Sequence, residues 1–156
     1  MAVDEGAPVE ELAQQIAETV GRVMIERDQL AQALGIELKA IRPGRVRLTM
    51  AVRQDMANAH GACHGGVIFT LADTAFGYAG NATNQTTVAL SADIRFVAPV
   101  HAGDRLTAEA EERSLRGRIG VYDVTVTNHD GELVALFRGL AYRLDREVVP
   151  DITVAT

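Results

Sequence analysis

The segment of residues 65–81, GGVIFTLADTAFGYAGN, constrains the fold more than any other part of this 156-residue chain. Its apolar residues recur at helical spacing, and on a helical wheel they fill one arc of about 200°. A helix with so wide an apolar face is predicted to be mostly buried. Residues that alternate between apolar and polar, the pattern of β-strands, lie on both sides of it.

The strands predicted from this alternation frame the helix. Residues 36–41 and 46–52 predict a hairpin that turns at RPGR. After the helix, strands are predicted over 85–96, from residue 106, and in a second hairpin of 121–128 and 132–144 that turns at NHDG. Strands before and after one long helix predict an α+β fold. The simplest packing is one antiparallel sheet of five or six strands wrapped around that helix.

The first part of the chain predicts an extra helix. Apolar residues recur at roughly helical spacing between Val9 and Leu34, where Gly21 is predicted to interrupt the helix and Gly35 to end it. The length suits one domain, because 156 residues are too few for two ordinary ones. We therefore predict a single domain over 1–156, with a helical extension over 1–33.

Composition excludes several function classes. The net charge is −6 and no Lys/Arg cluster is present, which argues against nucleic acid as a partner. No apolar run approaches the ~20 residues that a membrane helix needs. The acidic start MAVDEGAPVEELAQQ lacks an apolar signal core, and the one cysteine fits a reducing compartment, so a cytoplasmic location is predicted. The four histidines lack metal-ligand spacing, so no metal is expected.

The polar arc of the predicted helix is unlike a solvated face. A solvated face usually carries Glu, Lys, Arg and Gln, whereas this arc carries glycines, threonines and one carboxylate, Asp73. Each interior glycine costs roughly 1 kcal/mol relative to alanine, which indicates close approach by another chain, a strand or a ligand. Asp73 is therefore either a polar residue on the wet side or a functional acid. The arc consists of Gly66, Thr70, Asp73, Thr74, Gly77, Gly80 and Asn81.

The glycine pair Gly65 and Gly66 opens the helix after His64. The first N–H groups of a helix have no internal partners, and without side chains nearby a carbonyl oxygen or an anion can reach them. Gly65 and Asp73 are eight residues apart, or ~12 Å along the axis. One carbonyl cannot touch both in one chain, so a shared reaction would need two chains related by a two-fold axis.

With these residues in view, the sequence resembles the hotdog-fold acyl-coenzyme A thioesterases, most closely the PaaI type of phenylacetic acid degradation. The resemblance lies in ANAHGACHGG, HGGVIFTLADTAFGYAGN, SADIRFVAPVHAGD, GVYDVTVTN and LVALFRGLAYRL. It implies a homodimer with a continuous sheet, usually paired into a homotetramer, and hydrolysis of an acyl-CoA thioester without a cofactor. It also implies that the Gly65 amide polarises the carbonyl. Asp73 of the partner would be nucleophile or general base, and Asn58 would position water or the carboxylate.

Further residues are candidates for binding and positioning. Thr74 or Asn58 is expected to hydrogen-bond Asp73, while His64 either holds the loop or lines the site. Phosphates of coenzyme A prefer arginine or backbone amides. The candidate substrate and coenzyme A contacts are Gly66, Thr74, Arg95, Val97, Arg116 and Arg118. Aromatic acyl groups such as phenylacetyl follow from the resemblance alone.

Two alternatives stay open at this point, and a third is disfavoured. A hotdog hydroxyacyl-CoA dehydratase would use a histidine with an acid, and His64 with Asp73 could supply that pair. A non-catalytic module would bind acyl-CoA without turnover. A Cys63–His64 nucleophile is disfavoured, because adjacent residues in a turn rarely point at one another and no third orienting group is evident.

Overall fold

The computed structural model describes residues 7–152, in which three α-helices and six strands follow one another. Helices α1 (Ala7–Arg27) and α2 (Gln29–Leu34) come first, then strands β1 (Glu37–Arg42) and β2 (Arg45–Ala51), a short 3₁₀ turn (Gln54–Met56) and the central helix α3 (Gly65–Asn81). Strands β3 (Gln85–Phe96), β4 (Arg105–Arg116), β5 (Ile119–Thr127) and β6 (Leu133–Glu147) complete the order. The predicted α+β class and the extra N-terminal helix are confirmed.

All six strands form one antiparallel sheet in the order β1-β2-β4-β5-β6-β3. Helix α3 packs against β2 to β6, so the sheet wraps around it as predicted. The strand that follows α3 does not return beside β2. It lies at the far edge of the sheet, paired with β6 alone. The core is formed by the inner residues of β2, β4, β5 and β6 packed on α3.

Helix α3 has the predicted bounds, because its first turn is well specified. The His64 backbone is extended, and its Nδ1 accepts a hydrogen bond from the Gly66 N–H at 3.1 Å, so His64 is the N-cap. The polar arc needs one correction, since Gly80 and Asn81 are buried. Strand β3 covers them: a Cβ on Gly80 would lie 3.2 Å from the Thr87 side chain. Asn81 also exchanges hydrogen bonds with the Thr87 backbone.

The predicted break at Gly21 is wrong, because α1 runs through that residue. Gly21 is buried against β1, where a Cβ would lie 2.9 Å from Leu38 and 3.0 Å from Ile41. The glycine therefore allows a close helix–strand approach. The chain instead changes direction at Asp28, which caps α2, and Gly35 ends α2 at φ 70° as predicted. The proposed boundary of the extension at residue 33 stays a prediction, with residues 1–6 outside the described part.

Strand β3 leaves large apolar side chains on the surface of the single chain. Val88, Leu90 and Phe96 are 41%, 55% and 54% exposed, on a twelve-residue edge strand. A long apolar edge with unpaired backbone groups favours pairing with another strand. The other edge strand, β1, is half as long, and α1 packs against it.

Candidate active site

Asp73 projects from the middle of α3 at the wall of a small cavity. The cavity has a volume of about 160 Å³ and lies between α3, β3 and β6. Gly77 leaves space on the helix side, where an added Cβ would meet nothing within 4 Å. Asp73 itself is partly exposed, so a ligand that entered the cavity could reach its carboxylate. The wall consists of Asp73, Phe76, Gly77, Thr87, Val88, Ala89 and Ala141.

The surroundings of Asp73 make its carboxyl group less acidic than usual. Burial raises the pKa of Asp73, and the negative charge of Asp28 raises this pKa further. A carboxylate with a raised pKa is a stronger base once it has lost its proton. The acid limb of any reaction that needs ionised Asp73 should therefore lie above the usual range for an aspartate.

The hydrogen bonds predicted for Asp73 do not form within one chain. The Thr74 hydroxyl donates instead to the Thr70 carbonyl at 2.7 Å. The carboxamide oxygen of Asn58 accepts from the backbone N–H groups of His60 and Ala62, at 2.9 and 3.2 Å. Asn58 thus organises its own loop through its oxygen and keeps its NH₂ group available for a ligand.

The two glycines at the start of α3 differ in availability. The Gly66 N–H donates to the Nδ1 of His64. This hydrogen bond does not fit the role predicted for Gly66 in substrate binding. The Gly65 N–H has no acceptor among residues 7–152. The ring of Phe96 lies against Gly65, 3.0 Å from the position of an added Cβ. One open amide at the positive end of the helix is thus bordered by an aromatic ring.

The neighbouring cysteine does not form a nucleophilic pair. Cys63 is buried, and burial followed by the charge of Asp104 raises the pKa of its thiol. Its Sγ lies 3.7 Å from the carbonyl oxygen of His64, whereas the Nδ1 of His64 faces the Gly66 N–H. The Cys63–His64 alternative is therefore unsupported.

The arginines predicted to bind coenzyme A lie at opposite ends of the sheet. Arg95 pairs with Asp93 at 2.8 Å near the end of β3. Arg116 and Arg118 flank the β4–β5 turn, which by strand register is level with Val88 on the far side of β6. Seven residues of strand separate these ends, or ~23 Å. One chain therefore does not bring these arginines together, and Arg118 is itself paired with Asp145.

Val97 follows β3 directly, next to the ring that borders Gly65. It is 54% exposed, and its N–H donates to the Val134 carbonyl at 2.8 Å. Its side chain is thus free to contact a ligand while its backbone is fixed. This location is compatible with its predicted role as a substrate or coenzyme A contact.

Sequence reasoning missed two features of this region. Phe96 was part of the quoted SADIRF motif, but its contact with Gly65 joins positions 31 residues apart. Asp28 accepts a hydrogen bond from the Tyr78 hydroxyl at 3.0 Å, across 50 residues. A cap signal was present for Asp28, since an aspartate before QLAQAL is typical of a helix start. Nothing in the sequence pointed to Tyr78 as its partner.

Two broader features of residues 7–152 bear on the class of protein. No three His, Cys, Asp or Glu side chains in this range are grouped as metal ligands would be. None of the helices described is both long and apolar enough to cross a membrane. One antiparallel sheet wrapped around a helix that carries an open amide and an acid defines a hotdog-fold protein with a candidate catalytic site.

Comparison with known proteins specifies the family. A sequence model of the Thioesterase superfamily matches residues 60–135. The acyl-coenzyme A thioesterase PaaI of Escherichia coli is 45% identical over 121 residues, which are 78% of this chain and 86% of that protein. The structure of the E. coli PaaI protein from the phenylacetic acid degradation operon matches with a TM-score of 0.85 and 41% identity, covering 86% of this chain and 98% of that one.

A more distant structure carries a ligand. A Streptococcus mutans protein bound to acetyl-CoA matches with a TM-score of 0.69 and 28% identity, over 72% of this chain and 90% of that one. Taken together, these matches show that the chain belongs to the hotdog-fold acyl-CoA thioesterases, in the PaaI-type group. It is therefore an enzyme of the thioesterase class.

Proposed function

We propose that this enzyme hydrolyses an acyl-CoA thioester in a site that two subunits share, with Gly65 from one and Asp73 from the other. The observation that carries the proposal is the placement of an open N–H and a partly buried carboxylate on one rigid helix. The ~12 Å between them along the axis prevents one thioester from contacting both in the same chain. Two antiparallel copies of α3 would bring each amide close to the other chain's acid, twice per dimer.

The exposed edge of β3 supports this dimer. Its apolar side chains and unpaired backbone groups suit antiparallel pairing with a second β3, which would give a continuous sheet. The PaaI-type family favours a further pairing of dimers into a homotetramer, which we retain as part of the proposal. Acyl-CoA is the proposed small-molecule partner, and the reaction as written needs no cofactor. A cytoplasmic location stays a prediction.

In the general-base route, Asp73 activates a water molecule. Ionised Asp73 takes a proton from water as the water oxygen attacks the thioester carbon, and the carbonyl electrons move to the oxygen. The Gly65 N–H donates to this oxyanion, which is worth about 10²–10³-fold in rate. Collapse breaks the C–S bond, and the proton held by Asp73 passes to the departing thiolate. The products are the free acid and coenzyme A.

In the nucleophilic route, Asp73 attacks the thioester itself. The carboxylate attacks the carbonyl carbon, the thiolate leaves, and water then hydrolyses the resulting anhydride. Label recovered in the enzyme after a single turnover in water enriched in oxygen-18 would establish this route. Attack by water on the thioester places label only in the product acid, whereas attack of water on the Asp73 side of an anhydride leaves label in the enzyme.

The cavity beside Asp73 suggests the kind of acyl group. Its volume of about 160 Å³ is close to the ~150 Å³ of an apolar cavity that accepts benzene. Phe76, Val88 and Ala141 give its wall an apolar character, and the open side of Gly77 admits a flat group. We propose a phenylacetyl-type or medium-length acyl group as the substrate.

The coenzyme A part is proposed to pass Phe96 and Val97 toward the exposed arginines. Arg95 and the pair Arg116 and Arg118 are separate candidates for its phosphates, because they lie at opposite ends of the sheet. Arg116 is exposed at the end of β4. Glutamine is introduced at Arg95 in one variant and at both Arg116 and Arg118 in another. The variant whose KM rises identifies the arginines that bind the phosphates.

Thiol release from a panel of acyl-CoA esters tests the proposed function. Acetyl, hexanoyl, benzoyl and phenylacetyl esters are each followed with a thiol-reactive dye, with the Asp73→Asn enzyme as the matched control. Release by the wild-type enzyme, with preference for the aromatic or medium esters, supports the proposal. Hydration of an enoyl-CoA without thiol release would favour a dehydratase, and binding without turnover of any ester would favour a non-catalytic module.

A further inference from the structure

Asp28 links the N-terminal helices to the helix that carries the candidate site. One carboxylate oxygen of Asp28 accepts from the Ala31 N–H at 3.0 Å and caps α2. The other accepts from the Tyr78 hydroxyl at 3.0 Å. Tyr78 is only 3% exposed, and a buried tyrosine hydroxyl needs a polar partner. Both oxygens of Asp28 are therefore committed to holding α2 and α3 together.

Tyr78 lies five residues after Asp73 on α3. At 100° per residue, Tyr78 lies about 140° around the helix from Asp73, so its hydroxyl holds α3 from a face turned away from the cavity. The charge of Asp28 also reaches Asp73, since it adds to the effect of burial in raising the pKa of Asp73. Burial, the charge of Asp28 and the hydrogen bond to it raise the pKa of Tyr78 as well, which keeps the hydroxyl protonated.

Asp73 is the one titratable residue among those that line the cavity. The strand residues that line it, Thr87 to Ala89 and Ala141, carry no titratable side chain. Arg143 of β6 lies 3.9 Å from the Glu112 carboxylate and donates to Gln85 at 3.4 Å. On the helix side, the chain neighbours Glu26 and Arg27 are exposed at the end of α1.

We propose that Asp28 is a positioning residue of the site, which anchors α3 through the Tyr78 hydroxyl and brings a second negative charge to the surroundings of Asp73. This inference rests on the proposed function, in which Asp73 is the reacting group. In this role of Asp28, the N-terminal helices contribute to the site.

Two variants separate the charge of Asp28 from its hydrogen bonds. Asp28→Asn removes the charge, while its amide oxygen still caps α2 and its NH₂ group can donate to the hydroxyl oxygen of Tyr78. Tyr78→Phe removes the hydroxyl and leaves the charge in place. Glu26→Gln is the matched control, because it removes an exposed carboxylate two residues from Asp28. Circular dichroism at 25 °C verifies that each variant is folded.

The measurement is the titration of Asp73, followed in two ways. The first is the acid limb of the kcat/KM profile on an ester that the wild-type enzyme hydrolyses. The second is the carbon-13 shift of the Asp73 carboxyl carbon, which is identified by its absence in Asp73→Asn. The second readout needs no turnover, so it tests this inference even if the panel of esters shows no thioesterase activity.

Asp28→Asn is expected to move both titrations to lower pH, because a nearby negative charge no longer opposes ionisation of Asp73. Glu26→Gln should leave both at the wild-type position. Tyr78→Phe should lower kcat severalfold with little change in KM. It should not move the acid limb of the kcat/KM profile to lower pH. The inference is overturned if Asp28→Asn titrates like Glu26→Gln, or if Tyr78→Phe retains the wild-type kcat.

Discussion

The first turn of α3 and its second half offer opposite chemistry on one helix. The first turn presents an open N–H at Gly65, at the positive end of the helix dipole. The second half presents the Asp73 carboxylate beside a cavity against β3. A helix is too stiff to bring these two regions together, and for this reason we propose that each chain carries two halves of a site. Substitutions on α3 can therefore alter one half and leave the other in place.

The largest effect is expected from the acidic half. Asp73→Asn keeps the shape of the side chain and removes the base, so kcat should fall about 10²–10⁴-fold. Since a partly buried carboxylate with a raised pKa destabilises the folded state at neutral pH, the variant should also have a higher Tm at pH 7. This gain should shrink as the pH falls toward the usual carboxyl range, where Asp73 is protonated.

The control for this variant is Asp130→Asn, an exposed aspartate in the β5–β6 turn. It should retain wild-type kcat and should not gain stability at pH 7. Equal kcat for Asp73→Asn and the wild-type enzyme would remove Asp73 from the reaction.

The amide half should give the next largest effect. Gly65→Pro removes the N–H, and proline suits the first position of a helix. His64 already has the extended backbone, with ψ 130°, that a following proline requires. Loss of an oxyanion donor should lower kcat about 10²–10³-fold.

Gly65→Ala is the matched variant, because it crowds Phe96 in the same way but retains the N–H. It should lose much less activity than Gly65→Pro. If the two variants lose kcat equally, the ring of Phe96 rather than the amide accounts for the glycine.

The cavity of the acidic half should set acyl selectivity. Gly77→Val places a side chain where an added Cβ meets nothing within 4 Å. The kcat/KM for phenylacetyl-CoA should fall roughly tenfold relative to that for acetyl-CoA, which is the scale of steric discrimination in an apolar pocket. Acetyl-CoA measured on the same protein is the internal control. An unchanged ratio would place the acyl group elsewhere.

The smallest effect concerns two glycines of the same half. Gly77→Ala should raise the free energy of unfolding by up to about 1 kcal/mol, because alanine favours the helix and the space is open. Gly80→Ala should gain less or lose stability, since Thr87 lies 3.2 Å from the new Cβ. Urea unfolding measures both. A larger gain for Gly80→Ala would contradict the close approach of β3.

Local signals made the architecture predictable. Helix α3 has a glycine pair, an N-cap and a wide apolar arc, and the turns at RPGR and NHDG fix both hairpins. The hotdog fold and the thioesterase family followed from motifs that span loops as well as elements. The predicted helix break at Gly21 was wrong because, in a sequence, a glycine that permits close packing looks the same as one that breaks a helix.

The site was less predictable because it depends on contacts between distant residues. Asp73 and Gly65 stood out through their unusual neighbours on one helix. The hydrogen bond of Thr74 to Thr70 competes with the one expected to Asp73, and helical backbone offers that acceptor everywhere. Two further contacts depend on where strands and helices meet in the fold: Thr87 covers Gly80, and Tyr78 donates to Asp28. The periodicity of the sequence does not encode these meeting points.

The central claim, that two chains share each site, is tested most directly by mixing the two inactive halves. Asp73→Asn and Gly65→Pro chains are co-expressed at equal levels and purified together, and thiol release is measured per subunit. Half of the randomly formed dimers are mixed, and each mixed dimer holds one site with both wild-type halves, so the mixture should show about a quarter of the wild-type activity. Activity no greater than that of the two variants measured separately would contradict the shared site.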